Sequence, residues 1–279
     1  KLGINMVRIG EFTWSTLEPR EGEISTQFLR NVMDKLYAAD IAVVFCTPTP
    51  TPPVWLTHGH SDRLFVNADG ERLIHGARQH VSYEHPAVRK ACYRIVEAIA
   101  KTLGDHPSII GWQIDNELKC HVAEDFSPAA ISNWHQWLKK RYATIDRLNE
   151  EWGTHMWSTH YQTFEQVPAP LKTPFLHNAS LSTAYRMFNR ESIAEFSDMQ
   201  CEIIRQYSKA PITHNTNPAF SVNHERLFKN LDFAAYDAYP SKTEWQSLVF
   251  RSDMYRAAKP GRPFWLMETS VSHNGWLGN

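Results

Sequence analysis

Short apolar runs alternating with amphipathic segments mark this chain as an α/β protein on a parallel sheet, of the (β/α)8 TIM-barrel type. Two runs carry that expectation. Ile109-Ile110-Gly111-Trp112-Gln113-Ile114-Asp115-Asn116-Glu117 is apolar until it breaks off in a carboxamide and a carboxylate, and Pro263-Phe264-Trp265-Leu266-Met267-Glu268-Thr269 ends in the same manner. A buried strand that delivers polar groups at its C-terminal end is how a parallel barrel presents its chemistry. The third observation is an absence: the sequence holds no GxGxxG and no Walker-type GK[ST] loop, which argues against a nucleotide-binding sheet.

The elements follow in order. Asn5 to Phe12 reads as a strand running into a loop, and Ser25 to Asp40 as a helix with Phe28, Leu29, Val32, Met33, Leu36 and Tyr37 at helical spacing. Ile41 to Phe45 is a short buried strand. It meets Thr47-Pro48-Thr49-Pro50-Thr51-Pro52-Pro53, where the prolines forbid regular pairing, and a long loop to about Ser82 follows. Pro86, a favoured first-turn residue, opens a helix to Leu103 with Val88, Cys92, Ile95, Val96, Ile99 and Leu103 on one stripe. After the strand ending in Glu117, Ser127-Pro128 opens a helix through Tyr142, and Trp152 to about Leu176 reads as irregular. A long helix from about Ser182 to Tyr207 leads to strands at Pro211 to Asn215 and Leu231 to Pro240. A helix from Ser247 to Ala258 precedes the strand ending in Glu268. No repeat or linker divides residues 1–279, so one domain is expected. An eight-stranded barrel truncated by one unit at each end accounts for the strands found. The opening, which lacks Met, reads as the tail of a helix.

A chain of 279 residues can hold one large domain, and 42% hydrophobic with 21% charged residues is the balance of a protein with a real core. The net charge of −1 provides no electrostatic pull toward nucleic acid or an anionic membrane surface. Ten Trp and ten Tyr serve either a large core or a cleft that binds flat sugar faces. The cysteines Cys46, Cys92, Cys120 and Cys201 are far apart and fit a reducing, cytoplasmic compartment. No apolar run approaches the roughly 18–20 residues that span a bilayer. The histidines lack HExxH spacing, and neither a metal nor an organic cofactor is expected.

Two strand-end glutamates facing one cavity are the apparatus of glycoside hydrolysis. Arg8, on an otherwise apolar strand, would be costly to bury without a carboxylate partner. Glu11, Asp115 and Asp237 read as supporting groups or loop anchors.

These segments resemble glycoside hydrolase family 42, the β-galactosidases on a (β/α)8 barrel. The resemblance rests on Val7-Arg8-Ile9-Gly10-Glu11-Phe12-Thr13-Trp14-Ser15, Leu17-Glu18-Pro19, Thr47-Pro48-Thr49, Pro52-Pro53 with Trp55-Leu56, and Gly76-Ala77-Arg78-Gln79-His80. Gly111 to Glu117 and Leu148-Asn149-Glu150-Glu151-Trp152-Gly153-Thr154 complete it. It implies that the strands here are the second to seventh of the barrel. It also implies retaining cleavage of terminal β-D-galactosides by double displacement, with Glu117 as general acid/base and Glu268 as nucleophile. Related sugars (α-L-arabinopyranosides, β-glucosides) and an inactive, sugar-binding fragment are the alternatives. Arg8, Arg78 and Asn116 match positions that bind the nucleophile or the sugar, and Trp157, Tyr239 and Trp276 match aromatic positions around the galactosyl subsite. Tyr236 competes with Tyr239 for its role. Many family members hold zinc in a Cys cluster, but here the matching position is Ser82 and the region after Glu117 offers only Cys120, so no zinc is expected. The family also implies a homotrimer. The chemistry requires a protonated Glu117, favoured by an apolar setting and by the charge of Glu268, and an ionised Glu268, favoured by Arg8 or Arg78.

Overall fold

The computed structural model describes residues 3–241 and 243–269. In chain order it holds β1 (Met6–Ile9), α1 (Trp14–Leu17), α2 (Gln27–Ala38), β2 (Ala42–Cys46), α3 (Val54–Thr57), α4 (Pro86–Leu103) and β3 (Ile109–Gln113). There follow α5 (Pro128–Tyr142), α6 (Ile145–Trp152), α7 (Ala179–Arg205), β4 (Ile212–Thr213), β5 (Asn215–Thr216), α8 (His224–Phe228), β6 (Ala235–Asp237), α9 (Trp245–Ala258) and β7 (Trp265–Glu268).

All described strand pairs are parallel, in the orders β1-β2-β3-β4 and β5-β6-β7. Only His214 separates β4 from β5, so the two sheets share one stretch of chain. Strand order therefore follows chain order without reversal, and every C-terminal strand end points the same way. Arg8 pairs with Val44 in the β1–β2 register, and Gln113 lies level with Cys46. The ladder thereby carries side chains of distant sequence position to one level.

Local chemistry explains the helices. His85 caps α4 by accepting from the Ala87 N–H at 3.2 Å, with Pro86 at the first position. Ser127 caps α5 through the Ala130 N–H at 3.2 Å, and Lys139, Lys140 and Arg141 crowd its last turn, where the helix dipole favours cations. Asn178 caps α7 by accepting from the Ser180 and Leu181 N–H groups. The helix thus starts three residues earlier than its apolar spacing predicts, and the Asn178-Ala179-Ser180 sequon is a helix start. Four short helices, α1, α3, α6 and α8, went unpredicted. Of these α6 is bounded by the Thr144 cap and by Gly153 in the left-handed region, and α8 by the Asn223 cap. The loop after the prolines holds α3, a turn at Ser61–Arg63 and antiparallel bridges Leu64–Val81 and Val66–Arg72. Residues 152–176, irregular as expected, are anchored by buried Phe164, Val167 and Ala169.

The main core packs α4 and the C-terminal half of α7 against the sheet, with Phe45, Trp112, Ile95 and Phe196 fully buried. A second core joins α5, α6 and the N-terminal half of α7 around Trp134, Trp152, Tyr185 and Phe188. Trp14, Trp112 and Trp134 are fully buried, so much of the tryptophan content serves packing. No helix of the described residues is long and apolar enough to cross a membrane.

Gly10, at the end of β1, has φ +112° and a Cβ there would lie 2.6 Å from the Cys46 carbonyl oxygen. Gly10→Ala is expected to lower unfolding free energy by roughly 2 kcal/mol or more, through backbone strain and overpacking together. Chemical denaturation followed by fluorescence checks this, and unchanged stability would show the close approach to be unimportant.

Candidate active site

The site begins with a backbone turn at the end of β3. Asp115 and Glu117 both have positive φ, at 52° and 50°, a conformation that costs a non-glycine residue free energy. Side chains hold every N–H of the turn, three from neighbouring segments and one from Asp115 itself. Thr47 Oγ1 accepts from Asp115 N–H at 2.7 Å and Asp115 Oδ1 from Asn116 N–H at 2.7 Å. Asn215 Oδ1 accepts from Glu117 N–H at 3.1 Å and His214 Nε2 from Leu118 N–H at 3.1 Å. Gln79 Nε2 donates to the Glu117 carbonyl at 2.7 Å. Asp115 is itself fully buried, accepts from Thr49 Oγ1 at 2.5 Å, and burial pushes its carboxyl up to about 6.

The turn aims Glu117 into a cleft of about 770 Å³, which Arg8, Arg78, Asn116, Tyr239 and Glu268 also line. Arg8 Nη2 contacts Glu268 Oε1 at 2.5 Å and Glu11 Oε1 at 3.4 Å, while its Nη1 donates to Gln113 Oε1 at 3.0 Å. Arg78 Nη1 contacts Glu117 Oε2 at 2.9 Å. This corrects the expected setting of Glu117, because its carboxylate meets a guanidinium where an apolar strand was predicted to desolvate it. Asn116 Nδ2 lies 3.4 Å from Glu117 Oε2, and Gln113 Nε2 donates to Asn116 Oδ1 at 3.3 Å.

Glu268 also accepts from the Tyr239 hydroxyl, whose pKa is pushed up by burial and by that bond. Alternation along the chain separates the two tyrosines in question. Tyr236 stacks on Tyr255 at 4.5 Å on the helix side, while Asp237 and Tyr239 reach the cleft side. Oxygens of Glu117, Asp237 and Glu268 all lie within 4.8 Å of one another.

Six residues singled out in the sequence (Arg8, Arg78, Asn116, Glu117, Tyr239 and Glu268) thus come together. Trp157 does not line the cleft: it occupies a short turn at Met156–Ser158 with positive φ, is 78% exposed, and meets Phe175 edge to face. Trp276 lies outside the described residues. Asn215 and Gln113 went unmarked as site residues in the sequence; for Asn215 the available signal was the polar run Thr213-His214-Asn215-Thr216, all of it buried.

The position matching the family's zinc cluster carries hydroxyl and carboxylate oxygens. Ser82 Oγ donates to Asp125 Oδ2 at 2.5 Å and lies 2.9 Å from Ser127 Oγ. Cys120 lines the cleft, and its thiol is pushed up to about 11 by burial and the charge of Glu117. This donor set, with no thiolate among these three side chains, does not fit structural zinc. The three cleft carboxylates could in geometry share a cation, but Arg8 and Arg78 already supply counter-charge to two of them.

Fold and site together define a class: a parallel α/β scaffold presenting two glutamates from strand ends, the arrangement of two-carboxylate glycoside chemistry. Comparison places the chain within it. The β-galactosidase model of glycoside hydrolase family 42 matches residues 1–278, and the chain belongs to that family. It is 53% identical over 277 residues to β-galactosidase YesZ of Bacillus licheniformis, covering 99% of this chain and 42% of that protein. It is 52% identical over 273 residues to YesZ of Bacillus subtilis, covering 98% and 41%. The crystal structure of β-galactosidase from the psychrophilic Marinomonas ef1 superposes with a TM-score of 0.90 at 31% identity, over 96% of this chain and 44% of that one. The chain therefore spans about two-fifths of the length of the curated relatives it matches.

His214 is wholly buried between the Ile114 carbonyl (Nδ1, 2.6 Å) and Leu118 N–H, which fits a neutral ring, and burial lowers its pKa to about 4. The unfolded chain therefore takes up this proton first on acidification. The stabilisation is complete above the ordinary value of 6.5 and is lost as pH falls toward 4. In His214→Gln the acid-induced loss of stability across that window is expected to shrink, by up to about 3 kcal/mol. Denaturant midpoints measured at several pH values check this. An unchanged slope would mean that the ring takes up its proton alike in the folded and unfolded chain.

Proposed function

We propose that the site cleaves terminal β-D-galactosides with retention of configuration, by double displacement through a covalent glycosyl-enzyme. The observation that carries this reading is the separation of the Glu117 and Glu268 carboxylates. Their nearest oxygens are no more than 4.8 Å apart across one cleft. That agrees with the roughly 5–5.5 Å of retaining enzymes and leaves too little room for the water of an inverting one. The choice of galactose is supported by the names of the relatives above. The six parallel strand positions are read as the second to seventh of an eight-stranded barrel.

In the first step a Glu268 oxygen attacks the anomeric carbon and the bond to the leaving oxygen breaks. Glu117 gives that oxygen its proton. In the second step Glu117, now a carboxylate, takes a proton from water. The water oxygen attacks the anomeric carbon and Glu268 is released with its electron pair. Arg8 and Tyr239 hold the nucleophile from both of its oxygens, restricting it to one attack direction. Asn116 is placed to bond the sugar 2-hydroxyl as positive charge develops. The full natural protein is read as a cytoplasmic homotrimer that acts on galactosides and needs no metal.

Glu268→Ala in the full natural chain is expected to lower kcat on nitrophenyl β-galactoside by about 10⁴-fold or more. Proton NMR of the wild-type reaction is expected to show the β-anomer of galactose forming first. An α-anomer, or full activity without Glu268, would end this reading. A panel of nitrophenyl glycosides tests the sugar, with faster turnover of the arabinopyranoside or glucoside overturning galactose as the preferred substrate. Exhaustive chelation is expected to leave the rate within about twofold, since no step needs a Lewis acid.

A further inference from the structure

Asp237, at the end of β6, is a carboxylate that neither step above uses. It is 2% exposed. Its Oδ2 accepts from Asn215 Nδ2 at 2.7 Å, while its Oδ1 is buried with no hydrogen-bond partner among the described residues. The groups facing it are Arg8 from β1, Glu117 and Cys120 from the turn after β3, Glu268 from β7, Tyr239 from its own strand end and Tyr255 from α9. The guanidiniums are committed elsewhere: Arg8 to Glu268 and Glu11, Arg78 to Glu117.

A further negative charge this close to the Glu268 and Glu117 carboxyl groups, buried and with no cation of its own, is costly. The group avoids that cost by keeping its proton. Burial first, and then the charges of Glu268 and Glu117, push its pKa up to about 8. Its one firm bond goes to the side chain that organises the site. Asn215 holds the Glu117 N–H through Oδ1, and its Nδ2 reaches Asn116 Oδ1 at 3.1 Å and Glu268 Oε1 at 3.3 Å. Without Asp237, the Asn215 amide loses its shortest contact and the reference that fixes which way it points.

We propose that Asp237 is a positioning residue working as a neutral carboxylic acid, anchoring Asn215 through Oδ2 and setting an O–H, not a further charge, beside Glu117 and Glu268. The proposal rests on the two-glutamate reading above. Asparagine reproduces the protonated acid, with an oxygen that accepts and an N–H group in place of the O–H. Ionisation of Asp237 above about pH 8 then contributes to the alkaline decline of kcat/KM, and an amide removes that contribution.

The test compares Asp237→Asn, Asp237→Ala and Glu268→Ala in the full natural chain, with thermal unfolding measured alongside. Asp237→Asn is expected to keep kcat/KM within about threefold of wild type near pH 6 and to move the alkaline limb to higher pH. Asp237→Ala is expected to lower kcat by about tenfold or more, with a smaller change in KM. A loss of about a hundredfold in Asp237→Asn would mean that a carboxylate is required, and an unmoved alkaline limb would mean a purely structural role. Either overturns the proposal. An infrared difference spectrum, wild type minus Asp237→Asn near neutral pH, provides a readout independent of turnover. The carbonyl stretch of a protonated carboxylic acid is expected, and its absence also overturns the proposal. Full activity in Glu268→Ala would defeat the two-glutamate reading without altering the infrared result, so the two failures are distinguishable.

Discussion

The site depends on one constraint: the chain from Asp115 to Leu118 is held in a turn that its own residues would not choose. Two non-glycine residues in the left-handed region cost free energy that local sequence does not return. The return comes from Thr47 just after β2, His214 between β4 and β5, Asn215 of β5 and Gln79 of the loop before α4, which take up three N–H groups of the turn and one of its carbonyls, while the Asp115 carboxyl takes the fourth N–H. A turn satisfied in this manner has little freedom to relax. Glu117 is therefore aimed by the parallel sheet as a whole, since each restraining segment is fixed by its own ladder or core contacts.

Charge is divided with similar economy. Each glutamate has one guanidinium, supplied from a different direction: Arg8 from the first strand to Glu268 on the last, and Arg78 from a loop to Glu117. Placing Arg8 on an apolar strand makes sense only with such partners, because an unpaired buried guanidinium would be destabilising. The pairing also joins β1 to β7, which share no ladder among the described residues. Asp237 stands outside this one-to-one matching. Its proton replaces the missing cation, and the cluster meets the substrate without a further negative charge beside Glu268.

What the sequence revealed and what it concealed divide by range. The caps of α4 and α5, the apolar stripe of α4 and the polar ends of β3 and β7 are local patterns, legible from residues within one or two turns of each other. The pairing of Arg8 with a carboxylate was also foreseeable, from the cost of burying it alone. The role of Asn215 was not, because it comes from meeting Glu117, a residue 98 positions away, and the polar run around Asn215 signals a site without naming that partner. The tryptophans teach the same lesson. Trp112, Trp134 and Trp157 are alike as residues, yet the first two are core and the third is exposed, because neighbours distant in sequence decide it. Tyr236 and Tyr239, three positions apart in and just beyond β6, are told apart by the side each faces, Tyr236 stacking on Tyr255 of α9 and Tyr239 bonding Glu268.

The second core explains how a structure peripheral to the sheet still bears on the chemistry. Helix α7 is 27 residues long and belongs to both cores, its first half packing with Trp134 and Trp152, its second against the sheet. From the first half Tyr185 donates to the Asp125 carbonyl at 2.6 Å, and Asn189 Oδ1 accepts from Asp125 N–H at 2.7 Å. Asp125 in turn grips Ser82, which shares its loop with Arg78 and Gln79, the residues that contact the Glu117 carboxylate and carbonyl. The Ser82–Asp125–Ser127 cluster is buried, so loosening it would strand polar groups away from water. An aromatic core outside the cleft lining thus sets the position of the loop that faces the acid/base, through three hydrogen-bonded steps.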